Sequence, residues 1–281
     1  YKWYISTIRR LRRRYLFTIY IKMAIESTDA LVQALGNNSS RIILDKASIA
    51  SQTAGSFCSL WRATGQPGQG AIPTTTATCN NTTIGAINFT QQTAPATSYG
   101  AYLDLATGNA AMTLEIHDRL AHMGGLSGVV TTAQTVNLDL NTLGATDNIT
   151  ERKGDSNFSD VQWWLEWYTA TGATVVTATV NVTYNDGTTG NLTAQSLAAT
   201  RPASHMIPLN SLIPSAESGK YIRGVVSVQL SATTGTAGNF GITATRPRMV
   251  LASPIANMKF TADWAQLGLP NIINSSALFP I

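Results

Sequence analysis

From about residue 85 the chain alternates apolar and polar positions in short runs separated by turn residues. "SYGAYLDLA" (98–106) leads into a Thr107-Gly108-Asn109 turn, and "AAMTLEIHDRL" (110–120) follows it. "MGGLSG" (123–128) reads as a glycine turn, and "VVTTAQTVNLDLNT" (129–142) alternates again. Residues 161–199 hold three strand candidates, with turns at Thr171-Gly172 and Asn185-Asp186-Gly187. An Asp-Gly pair between alternating runs predicts a tight hairpin, because such turns need positive φ. "YIRGVVSVQLSA" (221–232) and "FGITATRPRMV" (240–250), joined by "TTGTAGN", read as a further pair. Strands at intervals of roughly 8–14 residues with almost no helical periodicity predict an all-β chain, a β-sandwich of jelly-roll-like type.

The ends depart from this rhythm. "STDALVQALG" (27–36) predicts a short helix capped by Ser27 or Thr28 and ended by Gly36. Residues 41–63 run through small and apolar residues in extended form, and residues 64–83 are a Gly/Pro/Thr loop. The tail is apolar, carries Pro254, Pro270 and Pro280, and ends in Leu278-Phe279-Pro280-Ile281. Apolar surface left in water is unfavourable by ~25 cal/mol per Å², so this tail is expected to pack on its own body or on a neighbour. The expected organisation is a basic N-terminal arm over 1–23, a short helix and linker over 24–44, a sandwich body over 45–250 and an extended apolar C-terminal arm over 251–281.

Composition supports the strands. About one residue in seven is threonine, whose branched side chain suits a pleated surface, and charged residues are only 12% of the chain. Charge is also unevenly placed. Residues 1–22 hold Lys2, Arg9, Arg10, Arg12, Arg13, Arg14 and Lys22 with no acid. Taking those seven from the 19 basic residues leaves 12 against 15 acids, so the body from Met23 onward is near −3. The body therefore lacks a nucleic-acid footprint. Three readings stay open for the arginine run: a solvated end, an arm docking on an acidic neighbouring subunit, or a weak contact with nucleic acid. The apolar part of the leader, "YLFTIYI", is seven residues long and has no clear small-residue cleavage site, so a secretory signal is not expected. No apolar run nears the ~18 residues of a membrane span.

Few residues suggest chemistry. Glu115 and His117 share a strand face and His122 lies near the glycines, but catalysis or zinc binding would need a convergent third group, which the spacing does not supply. Asp147, Glu151, Asp155 and Asp160 share a polar loop without the ligand spacing of a calcium hand, so a solvated loop is the expectation. Asp104, Glu115 and Glu166 fall on separate strands, with no sign of the carboxylate pair a glycosidase uses. No nucleophile-elbow, metalloprotease, phosphate-loop or dinucleotide motif occurs. No catalytic residue, cofactor or metal is expected. Cys58 and Cys79 read as two free thiols. In "VQWWLEWY", Trp163, Leu165 and Trp167 are expected in the core. Trp164 and Tyr168 fall on the opposite face, which suits a subunit interface or a sugar platform, with core or interface expected ahead of glycan binding.

Several stretches together, "SLWRATGQPGQGAIP" with "GAINFTQ", "HDRLAHMGGLSGVVTTAQTVNLDL", "DVQWWLEWYTATGATVVTATV" and "SVQLSATTGTAGNFGITATR", resemble a group of bacteriophage and prophage virion proteins. The resemblance spans roughly residues 50–248 and implies a structural, non-enzymatic role in a virus particle. The expectation is a capsid or capsid-decoration subunit that packs against copies of itself and other shell subunits. Its contacts would involve Arg9, Arg10, Arg12, Arg13, Arg14, Trp164, Tyr168, Leu278, Phe279 and Ile281. The alternative is a receptor- or glycan-binding module of a tail or surface fibre.

Overall fold

The computed structural model describes residues 27–37, 41–47, 54–94, 96–197 and 199–281. Helix α1 (Thr28–Asn37) forms where the sequence predicts it. Ser27 is the cap: its Oγ accepts from Ala30 N at 3.1 Å and its carbonyl from Leu31 N at 3.0 Å. Residues 41–106 contribute the short strands β1 (Asp45–Lys46), β2 (Phe57–Cys58), β3 (Gly65–Gln66), β4 (Ala77–Thr78), β5 (Ser98–Tyr99) and β6 (Leu103–Ala106). The body carries β7 (Met112–Leu126), β8 (Gln134–Asp139), β9 (Gln162–Thr169), β10 (Val176–Tyr184), β11 (Thr189–Asn191), β12 (Gln195–Leu197), β13 (His205–Pro208), β14 (Ile222–Leu230) and β15 (Asn239–Ser253). Helix α2 (Ile149–Arg152) sits between β8 and β9. The tail adds β16 (Lys259–Ala262), helix α3 (Trp264–Leu267), β17 (Asn271–Ile272) and β18 (Leu278–Pro280).

The chain is an all-β sandwich. One sheet runs β18-β7-β15-β9-β13-β2, with β4 beside β18 on the same edge of β7. The other runs β11-β10-β14-β8, with β12 beside β11 on the outer edge of β10. All pairings are antiparallel, and the body pairings are nested: β7 with β15, β8 with β14, β9 with β13, and β10 with β11 and β12. First pairs with last, second with second-last, and so inward, while β15–β9 and β10–β14 join these pairs into the two sheets.

The Asp-Gly hairpin forms between β10 and β11 as predicted. Gly187 has φ +87°, and Asp186 accepts from Thr188 N at 2.9 Å. The expected pairing across "TTGTAGN" does not form, because β14 and β15 lie in different sheets and that loop crosses between them. Nor is "MGGLSG" wholly a turn: β7 continues through Gly124 and Gly125 to Leu126. The glycines serve close approach. A Cβ on Gly241 would collide with the Met123 carbonyl, and one on Gly124 with the Pro73 carbonyl.

The main core lies between the sheets. From the larger sheet it takes Trp163, Leu165, Trp167, Phe240 and Ile242, and from β10 Val176, Ala178, Val180, Val182 and Tyr184. Each buried Val, Leu, Ile or Phe among them contributes about 1.5–3 kcal/mol. The expected inward face of β9 is therefore correct. Its other face is buried as well: residues 57–87 and the end of the tail cover the outside of the larger sheet, forming a second cluster of Trp61, Cys79, Trp164, Met206 and Phe279.

Candidate functional site

The face of the larger sheet beneath this cover carries a buried polar seam. Strand alternation places His117 and Arg119 of β7, Thr243 and Thr245 of β15, and Trp164, Glu166 and Tyr168 of β9 on one surface. Arg119 Nη2 lies 2.7 Å from Glu166 Oε2, both side chains being 0% exposed. Arg119 Nη2 also donates to Tyr168 OH at 3.1 Å, and its Nε donates to His122 Nδ1 at 3.0 Å. The guanidinium lies over the Trp61 and Phe279 rings, 4.6 and 5.3 Å from their centroids. Thr243 donates its hydroxyl to Glu166.

The electrostatics follow from this packing. Burial pushes the Glu166 carboxyl up, but the charge and hydrogen bonds of Arg119 and the Thr243 hydroxyl outweigh it and hold Glu166 below the usual carboxylate range. Burial, then the Arg119 charge, holds His122 well below its ordinary value, so it stays neutral and accepts from Arg119. Burial followed by the Glu166 charge raises Tyr168. Cys79 is pushed up to about 11 by burial, against the opposing pull of Arg119.

A second ion pair locks the cover. Arg152 of α2 grips Asp118 of β7 through Nε at 3.1 Å and Nη2 at 2.6 Å, both side chains being fully buried. Asp118 also accepts from Ser276 Oγ and Ala277 N, each at 2.8 Å. Arg152 Nη1 also donates to the carbonyls of Cys79 and Asp147 at 2.7 and 3.1 Å, and Nη2 to that of Arg119 at 2.9 Å. One carboxylate thus ties together the polar loop, the sheet and the tail. In the polar loop over 147–160 Glu151, Asp155 and Asp160 are exposed as expected, while Ile149, Arg152 and Phe158 between them are buried.

Beside this pair runs a relay. His117 Nε2 lies 2.8 Å from Glu115 Oε2, and its Nδ1 lies 3.0 Å from Thr245 Oγ1. Trp164 Nε1 donates to the same Thr245 oxygen at 2.8 Å. The shared face of Glu115 and His117 was legible; the third member, 128 positions away, was not. Among the described residues no cluster of three or more His, Cys, Asp and Glu could hold a metal ion. Cys58 and Cys79 are both free.

The expected contact residues fall out differently. Trp164 and Tyr168 are 2% and 3% exposed, so neither a sugar platform nor a subunit interface is available there. Trp164 instead packs edge-on against Phe57, with ring centroids 5.1 Å apart. Leu278, Phe279 and Ile281 are buried in the protein's own fold, so the outward-reaching C-terminal arm is corrected for these residues. The backbone of Ile281 pairs with Glu115 in both directions, and β18 continues the larger sheet, because an apolar strand finds unpaired β7 groups within its own chain. Arg9, Arg10, Arg12, Arg13 and Arg14, with the whole 1–23 arm, lie outside the described residues. The sequence reading missed Arg119, Asp118 and Arg152. The concentration of Glu115, His117, Asp118 and Arg119 within one strand of a charge-poor body was the available signal.

No protein-family model matches the chain, and no curated protein and no solved structure matches it either. No helix among the described residues is long and apolar enough to cross a membrane.

Proposed function

We propose that this chain is a non-enzymatic structural subunit of a virus particle, a capsid or capsid-decoration protein built on a jelly roll. The nested strand pairing carries the reading. Four antiparallel pairs, first with last and inward, in two facing sheets, support a jelly-roll wiring, an architecture recurrent in viral shells.

Two further features support assembly with copies of itself or other shell subunits. The ion pairs Arg119–Glu166 and Arg152–Asp118 are consumed inside the fold, and surfaces poor in charge can be covered without stranding charges. Beyond the start of β9 the β7–β15 pair continues as a ribbon over 112–116 and 249–253, flanked by Pro280 and Ile281 at Ile116 and Glu115, with Met112 and Val250 exposed. Ile255 and Met258 nearby are exposed as well. This ribbon takes over the role expected of the tail, and the basic leader supplies a second attachment. A contact of the leader with nucleic acid is a lesser part of the same reading. The chain's place is then in the virion.

Co-sedimentation with purified particles tests this. The full chain is expected to pellet with particles, and removal of residues 1–22 or an M112E/V250E double variant to weaken attachment. A chain that stays in the supernatant and sediments alone as a monomer at all concentrations contradicts the proposal.

A further inference from the structure

We infer that Thr245 and Gln162 become joined by a side-chain ester, formed by the protein on itself with His117 as the base. Three observations meet here. His117 bridges Glu115 and Thr245, at 2.8 and 3.0 Å. A carboxylate accepts only, so in the neutral imidazole Nε2 carries the proton shared with Glu115, and Nδ1 at 3.0 Å is a nearer acceptor for the Thr245 hydroxyl than the Gln162 backbone carbonyl at 3.4 Å. Thr245 and His117 are both fully buried, so bulk water does not compete for the activated oxygen. Gln162 is directly opposite Thr245 in the β9–β15 register, and no hydrogen bond within the described residues engages its side-chain amide.

Opposed residues on antiparallel strands share a face, with Cβ atoms about 4.5–5.5 Å apart, so a Gln162 side chain turned toward Thr245 is long enough for its amide carbon to reach that oxygen. Trp164 Nε1, 2.8 Å from that oxygen, fixes its position. The step balances without an oxidant or co-reactant. Thr245 Oγ1 bonds to Gln162 Cδ as its proton passes to His117 Nδ1. Glu115 steadies the imidazolium through Nε2. The tetrahedral adduct then breaks its Cδ–N bond, His117 returns the proton to the departing nitrogen, and ammonia leaves. Glu115 is a positioning residue, whereas His117 touches the reacting oxygen. The ester would bolt two central strands of the larger sheet together and would hold in a subunit under mechanical load. The inference does not depend on the virion reading.

Intact-mass spectrometry of the folded full chain is the test. The expected mass is about 17 Da below that of the sequence, the loss of one ammonia, with a cross-linked peptide pair containing Gln162 and Thr245 after digestion. Thr245→Val, Gln162→Ala and His117→Ala should each restore the uncorrected sequence mass. Using three variants guards against one that fails to fold. A folded wild-type chain at full sequence mass overturns the inference, as does a deficit that persists in Thr245→Val.

Discussion

Arg119 and Glu166 form an ion pair of 2.7 Å with neither side chain exposed, sealed by the Trp61 and Phe279 rings over the guanidinium. Removing one member of such a pair strands a charge, whereas replacing both with apolar residues of similar size often does not. Arg119→Met alone and Glu166→Leu alone are each expected to lower unfolding free energy by about 3–5 kcal/mol. The double variant Arg119→Met/Glu166→Leu should recover much of that loss. Urea denaturation of the four proteins checks the non-additivity.

Asp118 holds the tail from beneath. Asp118→Asn is expected to release residues 276–281 before the sandwich itself opens. It weakens the Arg152 pair and two hydrogen bonds to the tail, Ser276 Oγ and Ala277 N, in one change. Ser276→Ala removes one bond and should cost about 1.5–3 kcal/mol at most, as bonds to charged groups do. Hydrogen exchange resolves the two: Ala277 and Ile281 amides should lose protection in Asp118→Asn while those of β10 keep it.

Acid should weaken the fold before its carboxylates titrate. His205 is pushed from 6.5 to about 4, by burial and then by the Arg201 charge, and His122 is held well below 6.5 by burial and then Arg119. Their folded values lie below their unfolded ones, so the unfolded chain binds more protons and stability falls as pH drops below 6.5. Glu166 adds a later loss: its contribution is full above the ordinary carboxylate range and disappears as pH falls through its depressed folded value. Unfolding free energy measured between pH 8 and 4 should decline below 6.5, with a shallower slope in His205→Gln.

Both thiols should be inert in the native state. Cys58 is pushed up to about 12 by burial and the Glu166 charge, and Cys79 to about 11 mainly by burial. A neutral-pH thiol reagent is expected to label neither at an appreciable rate until denaturant is added, and then to label two.

The fold was legible where local physics decides it. Alternation marked β8, β9, β10 and β14, and the Asp186-Gly187 turn fixed the one hairpin whose chemistry is local. Alternation in β9 also separated Trp163, Leu165 and Trp167 from Trp164 and Tyr168, but could not say that the second face is covered. That cover comes from residues 57–87 and 271–281, which approach β9 only through long-range pairing. For the same reason β14 and β15 looked like a hairpin: a turn signal does not say whether the chain returns to the same sheet. Thr245 and Arg152 could not be assigned to the seam from sequence, since their partners His117 and Asp118 lie on another strand and only the nested topology joins them.

Imaging of purified particles at subunit resolution tests the central claim most directly. The account predicts repeated copies of this two-sheet body in the shell, each with residues 276–281 on its own β7 and with the Met112–Val250 ribbon at a contact between subunits. Particles that lack the chain, or a solvent-facing ribbon on every copy, would contradict it.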